Sequence, residues 1–426
     1  MMNIVILFGL MLILILMGVP IGIKIGVSTA ISMFFTSSMP LMFIAQKAYT
    51  GLDSFPLLAV PFFILAGSLM NNGGISKRLI DLADAIVGFA TGGLAMVTVL
   101  ACMFFAAISG SGPATVSAIG SFMIPAMKER NYRGDFATAL TASAGTIGVI
   151  IPPSIPFVIY AIAAQVSIGD MFIAGIIPGC LIGFSLMCVS YFIAKKGNYG
   201  SNERREKKNV LTSLKRSWEA LMMPVIILGG IYGGIFTPTE AAVVSVVYAF
   251  IIGKFVYKEL DFEKIYKSMK ETTLINGSLM FMIGLSIAFA NYLSLAQIPK
   301  TLALLLINLS DSPFVLLLII NIFLLVIGCF IDNIPAVIIL TPILLPIVTQ
   351  VGIDPIQFGM IITFALAIGF VTPPYGINLF VACSISKESV EKISVALLPF
   401  IAVMIVCLML FTYFPILTMG IFKFIG

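Results

Sequence analysis

The chain has 426 residues, 60% of them apolar and only 10% charged, where ordinary soluble domains are about a quarter charged. Apolar runs of about 20 residues, enough to cross a hydrocarbon layer of about 30 Å, recur from end to end and exclude a soluble globular fold. Histidine is absent, the six cysteines lack paired spacing, and the net charge of +5 sits between apolar segments, which leaves no footing for zinc, haem, disulfides or nucleic acid.

With Gly, Pro and charge as punctuation, spanning segments fall near 3–19, 21–38, 52–71, 136–163, 171–194, 218–236, 239–257, 272–294, 356–384 and 394–418. The first has no basic residue ahead of it and no small-residue cleavage site, so it reads as a spanning helix and not as a removable signal peptide. Two further apolar stretches, 93–127 and 313–349, are interrupted by Ser109-Gly110-Ser111-Gly112-Pro113 and by Asp332-Asn333-Ile334-Pro335. These read as re-entrant hairpins that enter and leave on one side. The expected fold is an all-α polytopic membrane protein of about ten spanning helices and two hairpins. It divides into a first repeat (1–195), a basic loop (196–216), a central helix pair (217–258) and a second repeat (259–426).

Basic residues concentrate in cytoplasmic loops. The loop 195–216 carries Lys195, Lys196, Arg204, Arg205, Lys207, Lys208, Lys215 and Arg216 and reads as a solvated, orienting linker on the cytoplasmic side. Counting crossings from there puts 128–133, 254–270 and 387–392 inside as well, with only Lys47, Lys300 and Lys423 outside. Treating either hairpin as a single crossing spoils this agreement. Both chain ends then face the periplasm.

The interruptions repeat. Pro113 is followed after 39 residues by Pro152 in Gly148-Val149-Ile150-Ile151-Pro152-Pro153-Ser154, and Pro335 after 38 by Pro373 in Gly369-Phe370-Val371-Thr372-Pro373-Pro374. Each half therefore has a hairpin with a proline-marked tip and then a helix broken at Gly-x-x-x-Pro-Pro. The charge count gives the halves opposite orientations, and inverted repeats with discontinuous helices mark secondary transporters. Paired prolines remove amide donors and open a helix. In lipid such a break persists only where protein, water or ligand satisfies the freed groups. Freed carbonyls with hydroxyl and amide oxygens suit a small cation, and half-helix amino ends favour an anion.

The residues at these breaks are Ser109, Gly110, Ser111, Thr115, Gly145, Thr146, Pro152, Pro153 and Ser154 in the first repeat. In the second they are Gly328, Asp332, Asn333, Gly369, Thr372, Pro373, Pro374 and Asn378. Sodium ligands are sought among Ser109, Gly110, Thr146, Asp332, Asn333 and Thr372. Asp332, the one carboxylate placed near the midplane, is a functional candidate by default: it can ligate sodium, carry a proton or cap the hairpin tip. Asn378 is either a ligand or a partner for a freed backbone group. Thr237-Pro238-Thr239-Glu240 reads as a capping box and not as chemistry, and Asp53 and Glu271 read as interfacial.

Across nearly its full length the chain resembles the large membrane subunit of TRAP (tripartite ATP-independent periplasmic) transporters. The resemblance is carried by Leu52-Asp53-Ser54-Phe55-Pro56, Asn71-Asn72-Gly73-Gly74, Ser109-Gly110-Ser111, Ile151-Pro152-Pro153-Ser154, Phe236-Thr237-Pro238-Thr239-Glu240-Ala241, Phe330-Ile331-Asp332 and Thr372-Pro373-Pro374. It implies a bacterial inner-membrane protein of the elevator type, like the ion-transporter superfamily, with sodium as coupling ion and no organic cofactor. It also implies a separate small four-helix membrane subunit and a periplasmic solute-binding protein that delivers a carboxylate-bearing solute. Ile251-Ile252-Gly253-Lys254-Phe255-Val256-Tyr257 looks most like sialic-acid-specific members, although C4-dicarboxylate and other organic-acid members share the architecture. The rival readings are a stand-alone sodium/dicarboxylate symporter and a channel or structural subunit. No nucleophile with an adjacent base supports an enzyme.

Overall fold

In an apolar medium every backbone N–H and C=O must find a partner within the protein, and a helix supplies one locally. The computed structural model describes residues 2–37, 39–197, 199, 209–298, 312–373 and 376–425, and among these every regular element is helical. In chain order they are α1 (Met2–Leu16), α2 (Ile21–Thr36), α3 (Met42–Leu52), a 3-10 turn (Phe55–Leu58) leading into α4 (Ala59–Asn72), α5 (Ile75–Val87), α6 (Gly93–Ser109) and α7 (Gly112–Glu129). Next come α8 (Gly134–Gly145), a 3-10 turn (Thr146–Val149), α9 (Ile155–Ala164), α10 (Ile168–Lys196), α11 (Val210–Tyr232), α12 (Pro238–Ile251) with a π-helical extension (Ile252–Val256), and α13 (Phe262–Leu295). The last group is α14 (Pro313–Gly328), α15 (Asn333–Gln350), α16 (Pro355–Gly369), α17 (Ile377–Ser386), α18 (Val390–Tyr413), α19 (Ile416–Met419) and α20 (Phe422–Ile425). Arg204, Arg205, Lys207 and Lys208 of the basic loop, Lys300, Pro374 and Tyr375 lie outside the described residues.

Both expected hairpins and both expected breaks are present. α8 with α9, and α16 with α17, are helix halves of 12, 10, 15 and 10 residues. At 1.5 Å per residue each is about 15–22 Å long and stops inside a layer of about 30 Å. Among the described residues, six helical stretches are long and apolar enough to cross a membrane unaided.

Several helix ends differ from the sequence reading, because caps and not hydropathy set them. α13 has 34 residues and starts at Phe262, where the Asp261 carboxylate accepts the Lys264 N–H at 2.8 Å. α11 starts at Val210 behind Asn209, whose Oδ1 accepts the N–H groups of Leu211 and Thr212. Helices α3 and α5 were not expected at all. α5 buries Ile75, Leu79, Leu82 and Ala83 along one face and exposes Lys77 and Asp81 on the other, an amphipathic pattern invisible to a search for continuous apolar runs. The capping box is formed: Thr237 Oγ1 accepts the Glu240 N–H at 3.3 Å, and Glu240 Oε2 accepts the Thr237 N–H at 2.8 Å.

Helices α1–α4 and α11–α13 pack on one another, while the hairpins, the broken helices, α10 and α18 form a second group; α5 joins α11 to α6. Within the second group the repeats interlock reciprocally. α9 packs on α15 and α16, and α17 packs on α7 and α8.

Contacts between loops test the crossing count. Arg78 pairs with Glu259 at 2.8 Å and accepts from Ser217 through its carbonyl at 2.9 Å. Tyr199 stacks on Tyr132 with ring centroids 5.0 Å apart, and Lys128 pairs with Glu388 at 2.8 Å. The segments on both sides of the first hairpin thus lie with the other basic loops at one membrane face. Both ends of the second hairpin region gather instead at the far end of α18. Phe314 stacks on Tyr413 at 4.1 Å, and Gln357 Nε2 donates to the carbonyls of Phe411 and Thr412 at 3.2 Å. The two hairpins open to opposite faces.

Candidate functional site

Each hairpin tip is built around a helix break and docks on the broken helix of its own repeat. In the first, Gly110 closes α6 in the left-handed region (φ 61°) and comes so close to the opened segment of the break that a Cβ there would lie 2.6 Å from the Pro153 oxygen. Glycine alone meets both demands. Its own carbonyl accepts the Ile155 N–H at 3.2 Å. Ser154 bridges the opened helix, donating to the Val149 carbonyl at 2.6 Å and accepting the Phe157 N–H at 3.3 Å. Thr115 Oγ1 donates to the Ser111 carbonyl at 2.8 Å and lies 3.0 Å from Ser109 Oγ. The Pro152–Pro153 peptide is cis.

In the second repeat Asp332 caps α15, its carboxylate accepting the Asn333 N–H at 2.6 Å. Asn333 Nδ2 donates across to the Thr363 carbonyl of α16 at 3.0 Å. The leading glycine of each Gly-x-x-x-Pro-Pro is where the hairpin backbone lands. A Cβ on Gly148 would be 2.6 Å from the Ser111 oxygen, and one on Gly369 would be 2.1 Å from the Gly328 oxygen.

Between the repeats stands Asn378, fully buried, with Nδ2 donating to the Ala142 carbonyl at 3.3 Å. Asn378 thus pairs a backbone carbonyl, while its Oδ1 has no partner among the described residues. A Cβ on Gly112 would lie 3.1 Å from that Oδ1, 3.2 Å from Nδ2 of the same amide and 3.2 Å from the Gly145 oxygen, so the Asn378 amide and a helix-end carbonyl border a space that any side chain would fill. Asn333 Oδ1 and Thr363 Oγ1, also fully buried, are likewise unpartnered. An unpaired buried acceptor costs about 1–3 kcal/mol, a cost that a bound cation removes. Among the described residues no three His, Cys, Asp or Glu side chains cluster; the unpartnered oxygens at these breaks are neutral, and Asp332 is the carboxylate at the second tip.

Two candidate hydroxyls donate to backbone carbonyls one turn back, which leaves their oxygen lone pairs available. The Thr146 hydroxyl donates to its own Ser143 carbonyl at 2.7 Å and faces Met404 Sδ, and Thr372 Oγ1 donates back to Ile368 at 2.8 Å. Pro373 lies in the break, and Pro374 is outside the described residues.

Beside the tips is a cavity of about 490 Å³, within the range for small organic ligands. Ser109, Gly110, Ser111 and Asp332 line it from the two tips, Ser68 and Asn71 from α4, and Glu271 and Thr272 from α13. Glu271 is thus a wall of this cavity and not merely interfacial. Its signal, a carboxylate on the face of α13 turned to α4, depends on helix packing that hydropathy does not register.

The family model described as "Tripartite ATP-independent periplasmic transporter, DctM component" matches residues 8–417. The chain belongs to this family. It is 47% identical over 417 residues to the isethionate TRAP transporter permease protein DctMQ of Oleidesulfovibrio alaskensis, covering 97% of this chain and 65% of that protein's length. It is 40% identical to the C4-dicarboxylate TRAP transporter large permease protein DctM of Pseudomonas aeruginosa, covering 95% of this chain and 94% of the relative. With the sialic acid TRAP transporter large permease protein SiaM of Vibrio cholerae the identity is 38%, covering 94% of each. The resemblance in sequence to sialic-acid members is therefore no stronger than that to members named for other acids. In structure, the YdaH transporter of Alcanivorax borkumensis, described as having an unusual topology, superposes with a TM-score of 0.63 at 12% identity over 88% of this chain and 89% of that one. That likeness concerns the fold. As the DctM component of a tripartite system, the protein is a transport subunit of a multi-pass membrane assembly and not an enzyme.

Proposed function

We propose that this DctM component imports a small organic anion together with sodium. A periplasmic binding protein delivers the cargo, and a small four-helix subunit is the membrane partner. The relatives are named for isethionate, C4-dicarboxylates and sialic acid, which supports an organic acid as the cargo. The sodium reading is carried by two of the unpartnered, fully buried amide oxygens among the described residues, Asn333 Oδ1 at the second hairpin tip and Asn378 Oδ1 next to the end of α8. One sodium at each gives two per cycle. With a monoanionic cargo one net positive charge then moves inward, and the membrane potential supplies about 2.3 kcal/mol per 100 mV.

The group containing both hairpins moves as an elevator against α1–α4 and α11–α13. Sodium closes the breaks, and the cavity beside the tips holds the cargo with its anionic end toward the amino end of α7. The basic loops face the cytoplasm and both chain ends the periplasm, in the bacterial inner membrane. The test is uptake by the reconstituted complex of organic acids from a panel, with and without sodium and binding protein. Accumulation that requires both supports the proposal. Equal uptake in choline medium rejects the coupling, and equal uptake without binding protein favours a stand-alone symporter.

A further inference from the structure

The cavity has an uneven charge pattern. Two carboxylates line it, Asp332 and Glu271, and no Lys or Arg is among its described lining residues. The two are not equivalent. Asp332 is engaged by its own helix as the cap of α15. Glu271 caps no helix among the described residues; its side chain is 47% exposed and accepts a long hydrogen bond of 3.4 Å from Ser68 Oγ of α4. It also forms a loose ion pair, 3.9 Å long, with Lys267 Nζ one turn away on the same helix, whose side chain is 63% exposed. A carboxylate only accepts hydrogen bonds, so Glu271 offers unfilled acceptor sites on the α4–α13 wall. The tip wall offers the hydroxyls of Ser109, Ser111 and Ser117.

A cargo with an anionic group at each end must set one of them against Glu271, whose charge the exposed Lys267 3.9 Å away offsets only in part. A cargo with one anionic end and one donor end meets complementary groups on both walls. We infer that Glu271 determines specificity, favouring small solutes with a single anionic group and a hydroxyl or ammonium group at the far end over dianions. This rests on the transport reading above and concerns which cargo the membrane component itself holds.

The test uses the purified membrane complex in sodium, without binding protein so that its selectivity does not intrude. Half-saturating concentrations for heat stabilisation are measured with 2-hydroxyethanesulfonate, 2-aminoethanesulfonate, ethanesulfonate and succinate. The two donor-bearing sulfonates are expected to act at concentrations at least about tenfold below ethanesulfonate and succinate. Glu271→Gln should shrink that ratio to within about threefold, a change in ratio that simple destabilisation does not produce. Succinate binding as well as the donor-bearing sulfonates, or Glu271→Gln weakening all four in proportion, overturns the inference. So does the absence of binding by any of the four; sodium-driven uptake by the same complex with its binding protein then decides separately whether the transport reading stands.

Discussion

Replacing Gly369 by alanine tests whether the hairpin must rest on the broken helix for sodium to bind. The new Cβ would lie 2.1 Å from the Gly328 oxygen and 2.2 Å from its carbonyl carbon. Carbon atoms pack at about 3.5 Å or more, so α14 and α16 must part by about 1 Å, and the obstacle is backbone that no rotamer can relieve. Overpacking of this kind costs about 1–3 kcal/mol. The strain falls next to the contact that positions the proposed ligand, the 3.0 Å bond from Asn333 to the Thr363 carbonyl of α16. If about 1.4 kcal/mol of it appears in sodium binding, the half-saturating sodium concentration rises about tenfold. Uptake by proteoliposomes is followed against sodium at fixed cargo, with membrane insertion checked by protein yield. Gly277→Ala is the control, since no atom lies within 4 Å of a Cβ there. An unchanged sodium dependence in Gly369→Ala refutes the reasoning.

Asp332→Ala removes the cap of α15, at about 1 kcal/mol, together with a cavity carboxylate; uptake should be abolished while insertion persists, and normal transport would show the site to be misassigned. Asn378→Ala leaves the Ala142 carbonyl unpartnered and deletes a proposed ligand, so the melting temperature and the sodium affinity should fall together, by about 1–3 kcal/mol of stability. Thr237→Ala breaks only the capping box of α12 and should cost about 1 kcal/mol in heat stability with sodium dependence unaltered, as read from the same uptake curves.

The hairpins and breaks were legible because their residues are out of place. Ser-Gly-Ser-Gly-Pro, Asp-Asn-Ile-Pro and two Pro-Pro pairs interrupt apolar runs at matched spacing, and lipid tolerates such interruptions only for a reason. Their sidedness was legible too, since the charge count grouped loops that Lys128–Glu388 and Arg78–Glu259 join. What stayed hidden depends on packing between distant segments. α5 lacks a continuous apolar run. Glu271 lies close to a membrane edge along the helix axis, and only α4 beside it turns it into a cavity wall. Thr363 and Ala142 take part through backbone carbonyls, which no side-chain pattern announces.

Sodium binding to the purified chain is the most direct measurement. Heat stability is recorded against sodium, potassium and choline for the unaltered protein and for Asn333→Ala and Asn378→Ala. Saturable stabilisation by sodium alone is predicted, about 2.7 kcal/mol at a hundred times the dissociation constant of a single site, and weakened in each variant. Identical melting in sodium and choline would contradict it.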